Sequence, residues 1–204
     1  MFLLFHARQP KSMLLTDAQV VARQPESWLV PMRLPLSALR DAIYCVTDTN
    51  VSNVKPEWST RNALFYLEGA FYVDTRHQDG LEDYSKPLRE FCEAHRIAAP
   101  PGGAEVLPPC VDVDAMGFGV AAMQDVCFGD LVLQVNSQRY KYYYCHQGLC
   151  EHAVVVSNIR QLHQGDPQTL DAYPLRLTPV MKKMRICPVC SSRQVAWCGH
   201  DGIQ

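Results

Sequence analysis
No run in this 204-residue sequence approaches the roughly 18 consecutive apolar residues that a membrane-spanning helix needs. The apolar start, Met1 to Phe5, has no basic flank before it and is too short for a secretory signal. A soluble, non-secreted protein is therefore expected. There is no His-Glu-x-x-His, no glycine-rich phosphate loop and no Gly-x-Ser-x-Gly. The His-x-Glu that zinc deaminases need is also missing: Glu151 precedes His152 in the wrong order, and Pro188 lies inside the Cys187–Cys190 pair rather than before it. These gaps weigh against metallohydrolase, deaminase and nucleotide-dependent chemistry. Neither charge sign is in large excess, and the net charge of −2 argues against a simple basic nucleic-acid binder. Internal repeats are absent too.

What the chain has is cysteine, nine in all, with seven histidines. Cys45, Cys92, Cys110 and Cys127 are scattered. Cys145, Cys150, Cys187, Cys190 and Cys198 fall in the last third, interleaved with His146, His152, His163 and His200. A disulfide framework does not recruit histidines, so metal binding in a reducing compartment is the better account. Thiolate and imidazole are the ligands Zn²⁺ prefers, four to a structural site.

The first expected site is Cys145, Cys150, His152 and His163. Cys-x4-Cys-x-His puts three ligands on one tight loop, and His163 closes the tetrahedron from the end of the following strand. His146 is the rival fourth ligand. Because adjacent ligands strain a tetrahedron, it is placed behind the ligands, orienting one through its free ring nitrogen. Cys187 and Cys190 form a CxxC at a turn between strand-like segments, a zinc-knuckle arrangement. With Cys198 and His200 they complete a second site; alternatively, the two pairs share one metal, or Cys198 and His200 are simply exposed. A redox role for the CxxC would want a following helix, which Pro188 to Arg193 does not suggest.

Splitting the chain at residue 129 leaves 11 basic and 16 acidic side chains before it, and 8 basic and 5 acidic after it. The basic potential thus lies beside the cysteines. Arg139, Arg160, Lys182, Lys183, Arg185 and Arg193 are the candidate DNA contacts, anchoring phosphates rather than reading bases. An ordinary solvated basic face is the alternative. The tyrosines at 140 and 142–144 are expected to pack under the zinc loop rather than stack on bases.

The coarse pattern is α+β. Short apolar runs between prolines in 1–35, Trp28 to Pro31 among them, read as strands. Leu36, Leu39 and Ile43 have helical spacing, with Ser37 as N-cap. Residues 63–73 read as one strand with a bulge at Gly69. A helix is expected near 84–95 with Pro87 in its first turn. Residues 97–120 are a Pro/Gly-rich linker. Val126 to Val135 reads as helix or strand, and 153–159, 173–177, 181–186 and 194–197 read as strands. The expected division is a ubiquitin-like (β-grasp-like) platform over 1–96, the linker over 97–120, and a small β-rich zinc-binding portion over 121–204.

Tyr144-Cys-His-Gln-Gly-Leu-Cys-Glu-His152, Ile159-Arg160, His163, Tyr173-Pro174, Cys187-Pro-Val-Cys190 and Ala196-Trp197 resemble one family's signature. It is the zinc-finger subunit of the small-nuclear-RNA-activating protein complex (SNAPc, the proximal-sequence-element-binding factor). Leu39 to Cys45, Phe65 to Asp74, Asp83-Tyr84-Ser85 and Met123 to Leu131 extend the likeness over most of 36–197. The resemblance implies a non-enzymatic nuclear subunit with a ubiquitin-like portion followed by a zinc-binding portion. It implies partnership with a Myb-repeat subunit and a mostly helical subunit on promoter DNA. It also implies help in placing the TATA-binding protein and RNA polymerase II or III. Family members usually continue past Ala-x-Trp into a further cysteine pair. Here Cys198 and His200 follow Trp197, and they either replace that pair or leave a second site incomplete. A zinc-based protein-interaction module of the ubiquitin-ligase kind is the main alternative. A promoter-binding subunit needs exposed Arg or Lys beside the metal, a ligase module a shallow apolar groove.

Overall fold
The computed structural model describes residues 2–8, 26–43, 45, 62–76, 83–99, 107–135, 142–147 and 150–177. The fold is mixed α+β. Its strands are β1 (Phe2–Arg8), β2 (Glu26–Pro31), β3 (Ala63–Leu67), β4 (Ala70–Val73), β5 (Asp112–Val113), β6 (Gly119–Ala122), β7 (Tyr142–His146), β8 (Cys150–Arg160) and β9 (Leu175–Arg176). The helices are α1 (Leu36–Ala42) and α2 (Lys86–Ala94), with short 3₁₀ turns at Phe128–Asp130 and Leu170–Ala172. Among the described residues all nine strands join one sheet in the order β5-β6-β4-β3-β7-β8-β1-β2-β9. No helix among the described residues is long and apolar enough to cross a membrane.

This order changes several expectations. The strands of 1–96 do not make a sheet of their own, because β7 and β8 stand between β3 and β1. A ubiquitin-like platform is therefore not seen as a separate unit. Part of the stretch read as linker is in the sheet: β5 pairs antiparallel with β6, which runs parallel to β4. Pro108 and Pro109 come before the first paired residue of β5, Asp112. The single strand expected over 63–73 is a hairpin. Glu68 and Gly69 both have positive φ, 47° and 84°, as a tight primed turn requires. The helical spacing at 36–43 is right, but Pro35 is the N-cap and Ser37 lies buried inside the helix, its N–H donating to the Met123 carbonyl.

Side-chain alternation puts core clusters on both faces of the sheet, with a smaller third one at Leu29 and Tyr173. One face gathers Trp28, Val30, Phe65, Leu67, Tyr72, Tyr142, Tyr144, Val154 and Val156 under Leu36, Leu39 and Ile43 of the α1 region. The other gathers Leu64, Phe71, Phe118 and Cys145, with Tyr84 and Cys92 of the α2 region against them. Gly119 of β6 has no room for a side chain. A Cβ there would stand 2.6 Å from Val111 Cγ1, 2.7 Å from Leu107 Cδ1 and 2.8 Å from the Ala70 Cβ. Gly119→Ala is expected to lower stability by about 1–3 kcal/mol through overpacking, read as a lower urea midpoint at unchanged slope.

One charged group ties α1 to β4. Arg76 Nη1 and Nη2 donate to the two Asp41 carboxylate oxygens at 2.7 and 2.8 Å. The same guanidinium donates to Asp74 through Nε at 2.9 Å and Nη2 at 2.7 Å. Arg40 Nε lies 3.2 Å from Asp74 Oδ2. Burial works against ionisation of both aspartates, but the hydrogen bonds and charge of Arg76, with help from Arg40, outweigh it and hold both carboxyls below their usual range. The α1 C-terminus is fixed in this way, and Cys45 follows it closely.

Candidate metal centre
Strands β7 and β8 form a hairpin in which Tyr144 opposes His152 and His146 opposes Cys150. Directly opposed residues share a face, and so do residues two apart on one strand. Tyr144, His146, Cys150 and His152 therefore all point to the α1 side. Cys45, just beyond α1, reaches the same place from above.

The result is a closed group of four donors. The ligand atoms of Cys45, His146, Cys150 and His152 all lie within 4.8 Å of one another, and all four residues are buried. Cys45 Sγ and Cys150 Sγ are 3.5 Å apart. His146 Nε2 and His152 Nε2 are 2.9 Å apart. Cys150 Sγ is 3.6 Å from His152 Nε2. A tetrahedral zinc with sulfur at about 2.3 Å and nitrogen at about 2.0–2.1 Å has edges of roughly 3.8 Å (S–S), 3.6 Å (S–N) and 3.3 Å (N–N). The observed separations of 3.5, 3.6 and 2.9 Å match these edges to within about half an ångström. The rings contact one another, with His146 stacked on both Tyr144 and His152. Tyr144 lies 4.6 Å from Phe65, 5.2 Å from His146 and 5.5 Å from His152, and the two imidazoles are 5.0 Å apart.

The structure brings together two of the four residues expected at the first site, Cys150 and His152. Cys145 is not with them. As the neighbour of His146 in a strand it points the opposite way, into the cluster of Leu64, Phe71 and Phe118. Burial pushes its thiol up, and a Tyr143 hydrogen bond partly offsets this. His163 is not there either. It is exposed beyond the end of β8, and its Nδ1 accepts a hydrogen bond from the Gly165 N–H at 3.0 Å. His146 is a member of the group rather than a residue behind it. The strain argument that set it aside holds for two adjacent ligands, but alternation lets only one of Cys145 and His146 face the site.

Cys45 was missed outright as one of the scattered cysteines. The signals that could have found it are its place at the end of an amphipathic helix and its inclusion in the family-like segment Leu39 to Cys45. Cys187, Cys190, Cys198 and His200 lie outside the described residues, as do Arg139, Lys182, Lys183, Arg185 and Arg193. Arg160 is described, and its two terminal nitrogens both donate to the Asp166 carboxylate, at 2.5 and 2.7 Å. That ion pair, together with the His163 N–H, holds the Asp166 carboxyl down to about 2.

Fold and site together define a class: a mixed α+β domain built on one large sheet, with a buried set of two thiols and two imidazoles in its core. The family model for "snRNA-activating protein complex (SNAPc), subunit 3" matches residues 26–201, and the chain belongs to that family. It is 33% identical over 173 residues to the snRNA-activating protein complex subunit 3 of Bos taurus, an alignment covering 79% of this chain and 37% of the bovine protein. The Rattus norvegicus and Mus musculus proteins of the same name are each 32% identical over 173 residues, again 79% of this chain and 38% of theirs. The chain thus spans less than half the length of the curated relatives it matches.

Proposed function
We propose that this chain is a non-catalytic subunit of a nuclear complex that activates small-nuclear-RNA genes, and that its sheet is stabilised by a structural zinc ion. Membership of the subunit 3 family is the observation that carries the first half. The four buried donors carry the second. A catalytic zinc keeps one position open for water, whereas two sulfurs and two nitrogens fill a tetrahedron. The residues that would hold the ion are Cys45, His146, Cys150 and His152. When bound, the ion supplies cross-linking of α1 to the β7–β8 hairpin. Cys187 and Cys190, with Cys198 and His200, would make a second site of the same kind.

In this reading promoter DNA is met through basic residues, Arg139, Lys182, Lys183, Arg185 and Arg193, which contribute phosphate contacts. Arg160 contributes only if it leaves Asp166. A Myb-repeat subunit, a helical subunit and the TATA-binding protein complete the assembly that serves RNA polymerase II and III. Because the chain's net charge is −2, its own DNA affinity is expected to be weak, with the partners supplying the remaining contacts. The test is a gel shift with proximal-element DNA, run with the chain alone and with the reconstituted complex. Micromolar or weaker binding alone and tight, salt-sensitive binding in the complex is expected. Nanomolar binding by the chain alone, or a complex equally tight without it, would overturn the reading. Zinc is tested separately by elemental analysis and by circular dichroism before and after a strong chelator. A spectrum indifferent to the chelator would count against a structural ion.

A further inference from the structure
Strand β2 opens at Glu26, which lies opposite Ala7 of β1, and on the other side of β1 Ala7 lies opposite Val154 of β8. Opposed residues share a face, so Glu26 is on the face that carries Val154 and, two residues earlier, His152. Glu26 Oε1 accepts a 2.6 Å hydrogen bond from Arg176 Nη2 of β9. That guanidinium lies 5.6 Å above the Trp28 ring. Glu26 Oε2 is buried and has no hydrogen-bond partner among the described residues. Burial raises the Glu26 carboxyl; the charges of Arg176 and His152 pull it down, that of Cys45 pushes it up, and the Trp28 indole N–H pulls it down as a further, weaker donor. The strand register thus puts the carboxylate on the same face of the sheet as His152.

His152 has the complementary need. Its Nε2 faces His146 and Cys150, and its Nδ1 makes no hydrogen bond among the described residues. A metal-bound imidazole carries its proton on the other nitrogen and nearly always donates it to a carboxylate or carbonyl, which fixes the ring and strengthens the ligand. The charges are consistent. Two thiolates neutralise a zinc ion, so a carboxylate outside the ligand set needs its own cation, and Arg176 is that cation.

We propose that Glu26 is a positioning residue of the metal centre: its Oε2 accepts the Nδ1 proton of His152, through no more than one water, while Oε1 and Arg176 fasten β9 to the same centre. This rests on the four-donor zinc reading. The metal thereby reaches beyond the β7–β8 hairpin to the segment that precedes Cys187.

The experiment uses the full chain with Glu26→Gln, Glu26→Asp, Arg176→Gln and Cys45→Ser. The zinc affinity that Cys45→Ser removes is measured by competition with a chromogenic chelator, and cobalt substitution reports the ligand field. Glu26→Gln should weaken that affinity about 10–100-fold and shift the cobalt d–d bands, and Glu26→Asp should recover part of both. Arg176→Gln should weaken binding in the same direction. Melting should separate Glu26→Gln from wild type only in the metal-loaded protein. If Glu26→Gln lowers Tm equally with and without metal and leaves affinity within about twofold, against the 10–100-fold an orienting carboxylate gives, Glu26 is merely structural and the assignment is overturned. If wild type binds no zinc, or Cys45→Ser binds it as tightly, the four-donor reading itself falls.

Discussion

Cys45→Ser is expected to abolish binding at the buried centre and produce a chain whose melting shifts toward that of the chelator-treated wild type, whereas Cys145→Ser and His163→Ala keep the zinc of that centre. His146→Ala and Cys150→Ser should behave like Cys45→Ser. The magnitude follows from what a structural ion contributes. Apparent binding free energies for structural zinc are about 10–16 kcal/mol near neutral pH, and losing one of four ligands forfeits a large share of that. Here the loss is cushioned, because the sheet also has an apolar core around Phe65, Tyr72 and Phe128. Weakened tertiary packing is therefore expected rather than a random coil, seen as loss of near-ultraviolet dichroism around Tyr144 with strand signal retained. Cys145→Ser swaps a thiol for a hydroxyl among Leu64, Phe71 and Phe118. Its expected cost is about 1–2 kcal/mol from burying a more strongly polar group, with no change in metal content. Elemental analysis of the five variants decides between the two ligand sets.

Asp74→Ala is expected to cost about 2–3 kcal/mol and to flatten the acid limb of the stability profile. Asp74 is nearly fully buried, with 1% of its side chain exposed, and serves Arg40 and Arg76 at once. Breaking a fully buried pair costs about 3–5 kcal/mol; the discount here reflects guanidiniums that keep partial access to water. The sign of the pH effect follows from the shifts. The folded-state carboxyls of Asp74 and Asp41 are depressed below the unfolded value. Their contribution is thus fully present above the unfolded carboxylate range and disappears as pH falls through the folded values. Urea unfolding from neutral pH down to about 3, the window where aspartates titrate, should show a steep loss in wild type and a shallower one in Asp74→Ala. Equal slopes would mean the network is not ionised in the way its geometry implies. Zinc affinity should fall along with stability, because the network holds the end of α1 from which Cys45 is delivered.

The residues that revealed themselves in sequence did so for local reasons. Leu36, Leu39 and Ile43 announce a helix by spacing, and the branched apolar run of 153–159 announces a strand, which the structure extends back to Cys150. Cys150 and His152 were recognisable as donors from the density of the Cys-x4-Cys-x-His cluster, although they lie in β8 rather than on a tight loop. Three features were not legible in this way. The turn at Glu68-Gly69 looked like an irregularity because no Asn-Gly or Asp-Gly marks it. The choice between Cys145 and His146 depends on the register of the β7–β8 hairpin, which the sequence string does not state. Cys45 comes 101 residues before His146, the nearest of its partners in sequence, and only tertiary closure brings it in. The separate platform and linker were inferred from composition, yet strand pairing follows edges and registers, and β5 and β6 take part despite the prolines around them.

The position of the first strand has a consequence for how the molecule is made. β1 lies between β2 and β8, and Phe2 is paired with Arg160 as well as with Pro31. A nascent chain can close the β1–β2 and β3–β4 hairpins early, but the strands that join them emerge from the ribosome only near residue 160. Until then two hairpins present open edges to the cytosol. Such high contact order slows folding and leaves the intermediate prone to pairing with other chains. Slow folding, limited by closure of β1 onto β8, is the expected consequence of this strand order.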